Sequence, residues 1–441
     1  MTRTDIASDI ICENISVAED GELLFAGQST LALAEKYKTP LYLMDEDRIR
    51  ERCRTYIDAV AEVFGDKGHV MYASKACSFK RIYEIMREEG MGIDVVSSGE
   101  ICTAVKAGFP LENAYFHSNN KTDADIEYAM DNGVGFFVAD NAEELYAIEC
   151  IAADRGASQR VLLRITPGID PHTYEAVATG KVDSKFGSAI ETGQAREMTE
   201  LALSLPHVSL EGFHCHVGSQ VFDASVYLAT VDIMLGFIRD MRDALGYTAR
   251  RLDLGGGFGV RYVASDPVID IAANIRLVGE RVHSVVRELS IPMPDICFEP
   301  GRSIVADAGM TLYTVGTVKK IKGYKNYVSV DGGMTDSPRF VLYGSKYTVL
   351  SAKNVYEDRD MNCSVVGRCC ESGDIIAENI DLPENIGRGD ILATLTTGAY
   401  HYSMASNYNR IPRPPVVMLS GGDSYVAVRR ESVEDITSLD V

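Results

Sequence analysis

The 441-residue chain lacks the features that mark membrane, nucleic-acid-binding or secreted proteins. No apolar stretch is long enough to cross a bilayer, and the opening residues Met1–Asp5 lack the charged-then-apolar profile of a signal peptide. Basic residues number 43 against 64 acidic ones, and the resulting net charge of −21 argues against nucleic acid or an anionic membrane as partner. We therefore expect a cytoplasmic protein.

Paired cysteine spacing is also absent. The ten cysteines include no Cys-x-x-Cys pair, so we expect free thiols, many of them buried. His214-Cys215-His216 would place two imidazoles on one side of a strand, but no third or fourth ligand follows at a recognisable spacing. We therefore predict that the protein has no metal site.

The chain does contain a regular alternation of short apolar runs and longer segments of helical period. The runs are Leu41–Met44, His69–Ser74, Gly92–Val96, Ala114–Ser118, Val134–Ala139, Val161–Thr166, Ser209–His216, Arg251–Leu254 and Asp295–Phe298. Segments such as Ala124–Asn132, Ala142–Arg155 and Ala224–Leu245 lie between them. Eight or nine strands separated by helices over roughly 260 residues predict an α/β fold, most economically a (β/α)8 TIM-type barrel.

From about Val305 the pattern changes to strand-like runs separated by turns. These runs are Thr311–Lys319, Tyr327–Asp331, Asn362–Val366, Asp390–Leu395 and Val416–Leu419. We therefore predict a barrel over residues 36–304 and a β-rich domain over 305–441. The first 35 residues fit neither pattern well, and we expect them to add a strand or helix to the β-rich domain.

Polar residues interrupt the apolar runs where the predicted barrel strands end. They are Lys75, Asp94, His117, Arg164, His216, Gly255 and Glu299. Active sites of such barrels are built at the C-terminal ends of the strands, so the series predicts a site there.

Two of these strand ends suggest a cofactor that carries an aldehyde and a phosphate. Lys75 lies between small residues after an apolar run, where its amine could form a Schiff base, although alone it could be an ordinary surface lysine. Gly255, Gly256 and Gly257 follow a late strand, where backbone N–H groups can approach a phosphate, although a tight turn would also use glycines.

Two further segments offer partners for the same cofactor. Glu299 could pair with a protonated pyridine nitrogen, and Arg302 could bind a carboxylate through two hydrogen bonds. A structural ion pair at the strand end is the simpler alternative for both. His216 could lie against a ring, and Ser219 could bind a phosphate.

In this order, Tyr-Ala-Ser-Lys-Ala, His-Cys-His-Val-Gly-Ser-Gln, Gly-Gly-Gly-Phe-Gly and Glu-Pro-Gly-Arg resemble the fold-type III pyridoxal-phosphate decarboxylases of basic amino acids. The resemblance covers essentially the whole chain and implies a barrel joined to a β domain, the plan of alanine racemase. The C-terminal segments are similar to those of the diaminopimelate decarboxylase branch. They are Asp331–Asp336, Arg339, Leu342-Tyr343, Cys370–Asp374, Gly398–Tyr400 and Ser406–Asn409.

The resemblance implies decarboxylation of meso-diaminopimelate to L-lysine, with pyridoxal 5'-phosphate as cofactor, in a homodimer with shared active sites. Lys75 is the implied Schiff-base lysine, and Cys370 the proton donor that one subunit presents to the other. The implied cofactor ligands are His216, Ser219, Gly255, Gly256, Gly257, Glu299, Gly301, Arg302 and Tyr400. The implied substrate ligands are Arg302, Arg339, Tyr343, Glu371 and Tyr400.

The charges of the substrate-reading residues favour this branch. Diaminopimelate carries a carboxylate and an ammonium at its far end, which Arg302 and Arg339 on one side and Glu371 on the other would match. A diamine-forming decarboxylase meets only an ammonium there, so two desolvated arginines would be unpaired. Phe340 and Cys369 depart from the residues usual in the family, which leaves fine specificity open.

Three alternatives remain from the sequence. The first is a decarboxylase of another basic or D-configured amino acid. The second is an amino-acid racemase on the same fold, although Glu299 argues against it because a racemase benefits from a weaker electron sink. The third is a non-catalytic pyridoxal-phosphate-binding protein, although such proteins usually lose the lysine or the cysteine, and Lys75 and Cys370 are both present.

Overall fold

The computed structural model describes residues 10–169 and 184–441, which form two compact units. One unit comprises the described residues up to Glu51 together with Val260–Pro267 and Ile304–Val441. The other comprises the described residues of Arg52–Gly259 and Val268–Ser303. The opening residues on which the signal-peptide expectation rests lie outside the described part. None of the described helices combines the length and apolar character needed to cross a bilayer.

The second unit contains a closed barrel of eight parallel strands, which confirms the predicted fold. In pairing order the strands are Gly68–Ala73, Gly92–Val95, Ala114–Phe116, Phe136–Ala139, Gln159–Thr166, Val208–His214, Arg251–Asp253 and Asp295–Phe298. The last strand pairs with the first through Ile296 and Gly68, which closes the barrel. A two-residue strand, Ser188–Ala189, adds to the edge of Gln159–Thr166.

Helices follow the strands of the barrel as the sequence pattern predicts, and one further helix, Glu46–Phe64, precedes the first strand. Those that follow a strand are Lys80–Glu88, Ser98–Lys106, Asp123–Asp131, Ala142–Asp154, Gln194–Ser204, Ala224–Leu245, Ile271–Glu288 and Arg302–Val305. Five of them begin at a polar residue whose side chain accepts a backbone N–H of the first turn, namely Ser97, Thr122, Asn141, Asp223 and Asp270. Each such cap stabilises its helix by about 1 kcal/mol and fixes the loop that leads out of the strand.

The barrel interior explains why its strands read as continuous apolar runs. Both faces of a parallel strand in such a barrel are covered, so alternation of apolar and polar residues disappears. The buried side chains inside it include Met71, Tyr115, Phe136, Leu162 and Cys297. Burial of each large side chain contributes about 1.5–3 kcal/mol relative to exposure.

One expected barrel strand belongs to the other unit. Leu41–Asp45 pairs with Gly309–Lys320 and with Val416–Ser420, inside a nine-stranded sheet, so its inclusion among the barrel strands is wrong. It is completely buried, as a barrel strand is, because it is a central strand of that sheet. Burial pattern alone could not distinguish the two positions.

The first unit is otherwise β-rich, as expected. Its strands are Ile15–Val17, Leu23–Phe25, Gln28–Ser29, Leu41–Asp45, Gly309–Lys320, Asn326–Val330, Val349–Ser351, Met361–Val366, Ile375–Leu382, Ile391–Leu395, Val416–Ser420 and Asp423–Val428. Its helices are Thr30–Tyr37, Arg339–Tyr343 and Val433–Thr437. Two apolar cores lie within this unit, one that includes Leu23, Leu43 and Leu419, and one that includes Val328 and Ile376.

Candidate active site

Lys75 lies at the C-terminal end of the first barrel strand. The Gly68–Ala73 strand gives way to one 3-10 turn, Ser74–Ala76, in which Ser74 and Ala76 are buried while the Lys75 side chain is exposed. A Cβ on Gly301 would lie 2.9 Å from the Cβ of Ala73, so only glycine lets the loop after the last strand approach this turn. The lysine is therefore fixed next to the segment that carries Glu299.

Glu299 is buried and accepts hydrogen bonds from two histidines. The Nε2 of His117 lies 2.7 Å from Oε1 of Glu299, and the Nε2 of His214 lies 3.1 Å from Oε2. All three side chains are buried, and the two imidazole rings pack edge to face at 4.9 Å. Both histidines follow or end barrel strands, so the three groups meet because their strands end at the same face.

The two histidines keep Glu299 ionised despite its burial. Burial by itself raises the pKa of Glu299, but the charge of His117 and the hydrogen bonds from His117 and His214 outweigh it and hold the pKa well below the ordinary value. Burial lowers the pKa of His214 to about 4, so this ring is neutral at pH 7 and stabilises Glu299 by donating its Nε2–H. Each carboxylate oxygen can accept a second hydrogen bond.

Two further carboxyl groups at the same face have pKa values shifted in the opposite direction. Burial, followed by the negative charge of Glu299, raises the pKa of Asp253 well above its ordinary value. Burial also raises the pKa of Asp94, although the nearby charges of His117 and Lys75 act against the rise. Carboxyl groups whose pKa values are pushed apart are typical of sites that separate acid and base functions.

The glycine loop after the Arg251–Asp253 strand packs closely against neighbouring backbone carbonyl groups. Gly255 and Gly257 have φ angles of +68° and +114°, and Cβ atoms there would lie 2.7 Å from the carbonyl of Cys215 and 2.1 Å from that of Gly218. The Gly255 N–H already donates to Oδ1 of Asp253 at 2.8 Å. Gly256 and Gly257 are therefore better placed than Gly255 to donate to a phosphate.

Arg302 and Ser219 lie together at this face. The Nε and a terminal nitrogen of Arg302 lie 3.2 and 3.0 Å from the hydroxyl oxygen of Ser219, and the arginine is buried. A buried guanidinium beside a hydroxyl is a donor set that suits an anionic phosphate or carboxylate.

His216 is half-buried just beyond the Val208–His214 strand. Burial, and next the positive charge of Lys75, lower the pKa of His216 well below its ordinary value, so its ring is neutral at pH 7. A neutral imidazole near an amine and a carboxylate can lie against an aromatic cofactor ring without repelling a protonated pyridine.

These barrel residues together fit pyridoxal phosphate. An accessible amine, an ionised carboxylate, a neutral imidazole and a cluster of phosphate donors match its aldehyde, ring nitrogen, ring face and phosphate. His117, His214 and Glu299 also form a group of side chains able to hold a metal ion. Their ligand atoms are paired in hydrogen bonds with each other, and we interpret the group as the support of the carboxylate.

The β-rich unit carries a second group of predicted residues. Arg339 is buried, and its guanidinium carbon lies 4.9 Å from the ring centre of Tyr343 and 5.0 Å from that of Tyr400. The Nε atom of Arg339 has no hydrogen-bond partner among the described residues. A desolvated cation held between two aromatic faces is ready to bind an anion.

Cys370 and Glu371 are exposed on a loop of this unit. Asp374 supports the loop, because its carboxylate accepts the N–H of Cys369 at 2.7 Å and that of Met334 at 2.6 Å. The Cys370 N–H donates to the side chain of Asn409 at 2.7 Å. The loop is therefore held in place while its two reactive side chains face outward.

Sequence patterns alone assign no role to His117, His214, Asp253 or Asp374. In the sequence, His117 is notable only as a polar residue at a strand end, and His214 only as a candidate metal ligand. The position of the histidines is the signal that could have identified them. An acidic side chain buried at a strand end needs a hydrogen-bond donor, and a histidine at another strand end can supply it. Asp374 lies within a recognised motif, but its hydrogen bonds to the backbone N–H groups of Met334 and Cys369 are not revealed by sequence spacing.

Comparison with known proteins agrees with this arrangement. Residues 46–306 match the family described as "Pyridoxal-dependent decarboxylase, pyridoxal binding domain". The chain is 44% identical to the diaminopimelate decarboxylase of Bacillus subtilis (strain 168), over 96% of both chains. It is 41% identical to the diaminopimelate decarboxylase of Staphylococcus aureus (strain COL), over 95% of this chain and 97% of the relative.

Solved structures show the same relation. A diaminopimelate decarboxylase from M. jannaschii in complex with L-lysine has a TM-score of 0.89 at 30% identity, over 97% of this chain and 98% of that chain. A lysine/ornithine decarboxylase from Vibrio vulnificus complexed with putrescine has a TM-score of 0.74 at 25% identity, over 88% and 97%. The chain therefore belongs to the pyridoxal-dependent decarboxylases, and within them to the diaminopimelate decarboxylase family.

Proposed function

We infer that the protein decarboxylates meso-2,6-diaminopimelate to L-lysine and CO2, the last step of lysine biosynthesis. The observation that carries the decarboxylase chemistry is the buried Glu299, held ionised by His117 and His214 at the strand ends beside Lys75. The full-length similarity to diaminopimelate decarboxylases carries the choice of substrate.

Pyridoxal phosphate, when bound, supplies the electron sink for the pair of electrons left when CO2 departs. We propose that Lys75 holds its aldehyde end and that the ionised Glu299 keeps its ring nitrogen protonated. Gly256, Gly257, Ser219 and Arg302 bind its phosphate, Gly255 forms the turn and Gly301 admits the loop. His216 lies against the ring.

The substrate is read by the residues of the β-rich unit. We propose that Arg339 and Tyr343 bind the distal carboxylate of diaminopimelate, with Arg302 as a further cation, and that Tyr400 lines the site. Glu371 binds the distal ammonium. Cys370 donates the proton that replaces the departed carboxylate on carbon, which keeps the charge and atoms of the reaction balanced.

We further propose a homodimer in which Cys370 and Glu371 complete the partner's site. Both side chains are exposed, and apolar neighbours on the same unit are exposed with them, including Leu342 at 57%, Tyr343 at 41% and Tyr408 at 43%. Exposed aromatic and aliphatic side chains beside reactive ones suit an interface better than bulk water.

Subunit mixing tests the shared site directly. Lys75→Ala and Cys370→Ala proteins, each inactive, are mixed under conditions that exchange subunits. Random exchange makes half of the dimers hybrid with one intact site each, so about a quarter of wild-type activity should return. A mixture of Lys75→Ala with the doubly substituted chain is the control and should stay inactive. If subunit exchange is demonstrated but activity does not recover, each active site lies within one chain.

The ten cysteines, all within the described residues, form no disulfide with one another, which supports placing the reaction in the reducing cytoplasm.

The substrate assignment is tested by measuring amine products from meso-diaminopimelate, ornithine, arginine and lysine with purified protein and pyridoxal phosphate. Lysine formed from diaminopimelate alone supports the proposal. Turnover of another substrate would show that the roles proposed for Arg339, Tyr343 and Glu371 are wrong. Racemisation without CO2 release would refute the decarboxylase assignment.

A further inference from the structure

A pocket of about 330 Å³ lies at the N-terminal end of the barrel, at the opposite ends of the strands from Lys75 and Glu299. Its lining includes residues where four barrel strands begin, Gly68-His69, Gly92, Phe136 and Arg251. None of the proposed catalytic or cofactor residues lines it. A pocket of this volume is in the range of small-molecule sites.

One side of the pocket is apolar. Ile57 and Val60 come from the helix Glu46–Phe64, and Met91 adds a flexible thioether. The Tyr115 and Phe136 rings are stacked with their centres 4.6 Å apart. This wall would cover the hydrocarbon or aromatic body of a ligand.

The other side carries two arginines. The guanidinium carbon of Arg160 lies 3.9 Å from the Phe136 ring centre, and that of Arg251 lies 4.4 Å from it. Arg160 donates to the backbone carbonyls of Gly135 and Glu112, while Arg251 donates to the Tyr115 hydroxyl. These oxygen atoms are neutral, so they do not neutralise the positive charges of the two arginines.

The carboxylates near the pocket do not balance its cations. Asp295 is shared by Lys67 at 3.3 Å, His69 at 3.6 Å and Arg251 at 3.7 Å. Among the residues that line the pocket, Arg160 and Arg251 are cations and Glu112 is an anion, within a chain whose net charge is −21. A local excess of positive charge in so acidic a protein favours an anionic ligand.

His69 adds a buried polar atom that makes only a long contact. Its Nε2 lies 3.6 Å from Oδ2 of Asp295, farther than in an ordinary hydrogen bond. Burial, and next the charge of Arg251, lower the pKa of His69, so the ring is neutral at pH 7 and can donate one N–H. A ligand oxygen would satisfy this group.

We propose that this pocket is a second binding site for a small organic carboxylate with an apolar body. The carboxylate lies between Arg251, Arg160 and His69, and the apolar body lies on Met91 and Tyr115. The site is independent of the proposed decarboxylation.

Calorimetric titration of the holoenzyme with 3-phenylpropionate tests the proposal. We expect one carboxylate per chain with Kd of about 0.1–1 mM, as for a ligand of this size. The neutral 3-phenylpropanol should bind at least about tenfold more weakly, because it cannot use the arginines. A saturating concentration of L-lysine, the proposed reaction product, should not displace the carboxylate.

Two variants locate the binding. Ala61 lines the pocket from an exposed position on its helix, so Ala61→Trp obstructs the pocket without disturbing buried groups, and Arg251→Met removes one charge. Each should weaken binding at least about tenfold. Glu280→Trp and Arg196→Met, at exposed positions outside the pocket, are the matched controls and should bind normally.

Three results would overturn the proposal directly, and a fourth would do so by assigning the ligand to another site. The first three are absence of binding to the wild-type chain, undiminished binding to Ala61→Trp, and equal affinity for the carboxylate and the alcohol. Displacement by L-lysine would instead assign the carboxylate to the catalytic site and equally refute a second site.

Discussion

The proposed site residues of the barrel and those of the β-rich unit differ in how they are held. In the barrel, Glu299 and both of its histidine partners are at most 7% exposed and satisfy each other through hydrogen bonds. In the β-rich unit, Cys370 and Glu371 are exposed on a loop whose backbone, rather than side chains, is fixed. The difference indicates that the electrostatics of the proposed cofactor site are built within one chain, whereas the proposed proton donor, Cys370, is presented outward.

The strongest test of the comparison is removal of the barrel amine. Lys75→Ala should lower kcat by at least about 10³-fold, because the role proposed for this residue is both to hold the cofactor and to release the product. The cofactor's visible absorbance band should be lost or shifted at the same time. Lys80→Ala, an exposed lysine five residues further on, is the control and should retain activity. A Lys75→Ala enzyme with normal turnover would place the chemistry elsewhere.

The charge of the carboxylate can be removed with little change of shape. Glu299→Gln should lower kcat by about 10²–10³-fold, as for loss of a preorganised electrostatic group. One histidine can still donate to the amide oxygen, and the other can accept from the amide NH2 in its alternative tautomer, so the fold is retained. Steady-state kinetics with circular dichroism measures this. Unchanged kcat would show that the ring nitrogen needs no ionised partner.

Substitution of Arg339 tests the proposed site residues of the β-rich unit. Arg339→Gln should reduce kcat/KM for meso-diaminopimelate by about 10–200-fold, corresponding to the loss of one specific contact, with a smaller effect on kcat. Arg410→Gln, at an exposed arginine of the same unit, is the matched control. An effect confined to kcat would mean that Arg339 acts on the reacting end of the substrate rather than on the distal one.

Substitution of His214 is expected to have the smallest effect, which is a change in how the free energy of unfolding depends on pH. The His214 pKa falls from an ordinary value near 6.5 to about 4 on folding. Its neutral form is favoured by the fold, so this stability is complete above about pH 6.5 and is lost as the pH falls towards the folded pKa. The loss between pH 7 and pH 5 is about 2 kcal/mol.

His214→Gln should therefore show a smaller loss of unfolding free energy between pH 7 and pH 5 than the wild-type chain, measured by urea titration. His207→Gln, a histidine on the surface of the same unit, is the control and should follow the wild type. An identical pH dependence in His214→Gln and wild type would mean that the buried ring does not titrate in this range.

Much of the architecture could be predicted because it depends on local pattern. Apolar runs located all eight barrel strands, and the helix Ala224–Leu245 has its predicted bounds. The apolar runs do not indicate which of the two large sheets a buried strand joins. Leu41–Asp45 has the burial of a barrel strand but pairs with Gly309–Lys320, and pairing partners distant in sequence leave no local signal.

By itself, the sequence determined the family, the alternation of strands and helices and the positions of Lys75, Glu299 and the glycine loop, since these follow from residue order and spacing. Only the tertiary structure decided that His117 and His214 hold the Glu299 carboxylate, that Asp253 occupies the Gly255 N–H and that Arg302 contacts Ser219. Each of these depends on strands far apart in the chain ending at one face, and on burial strong enough to set which groups carry charge.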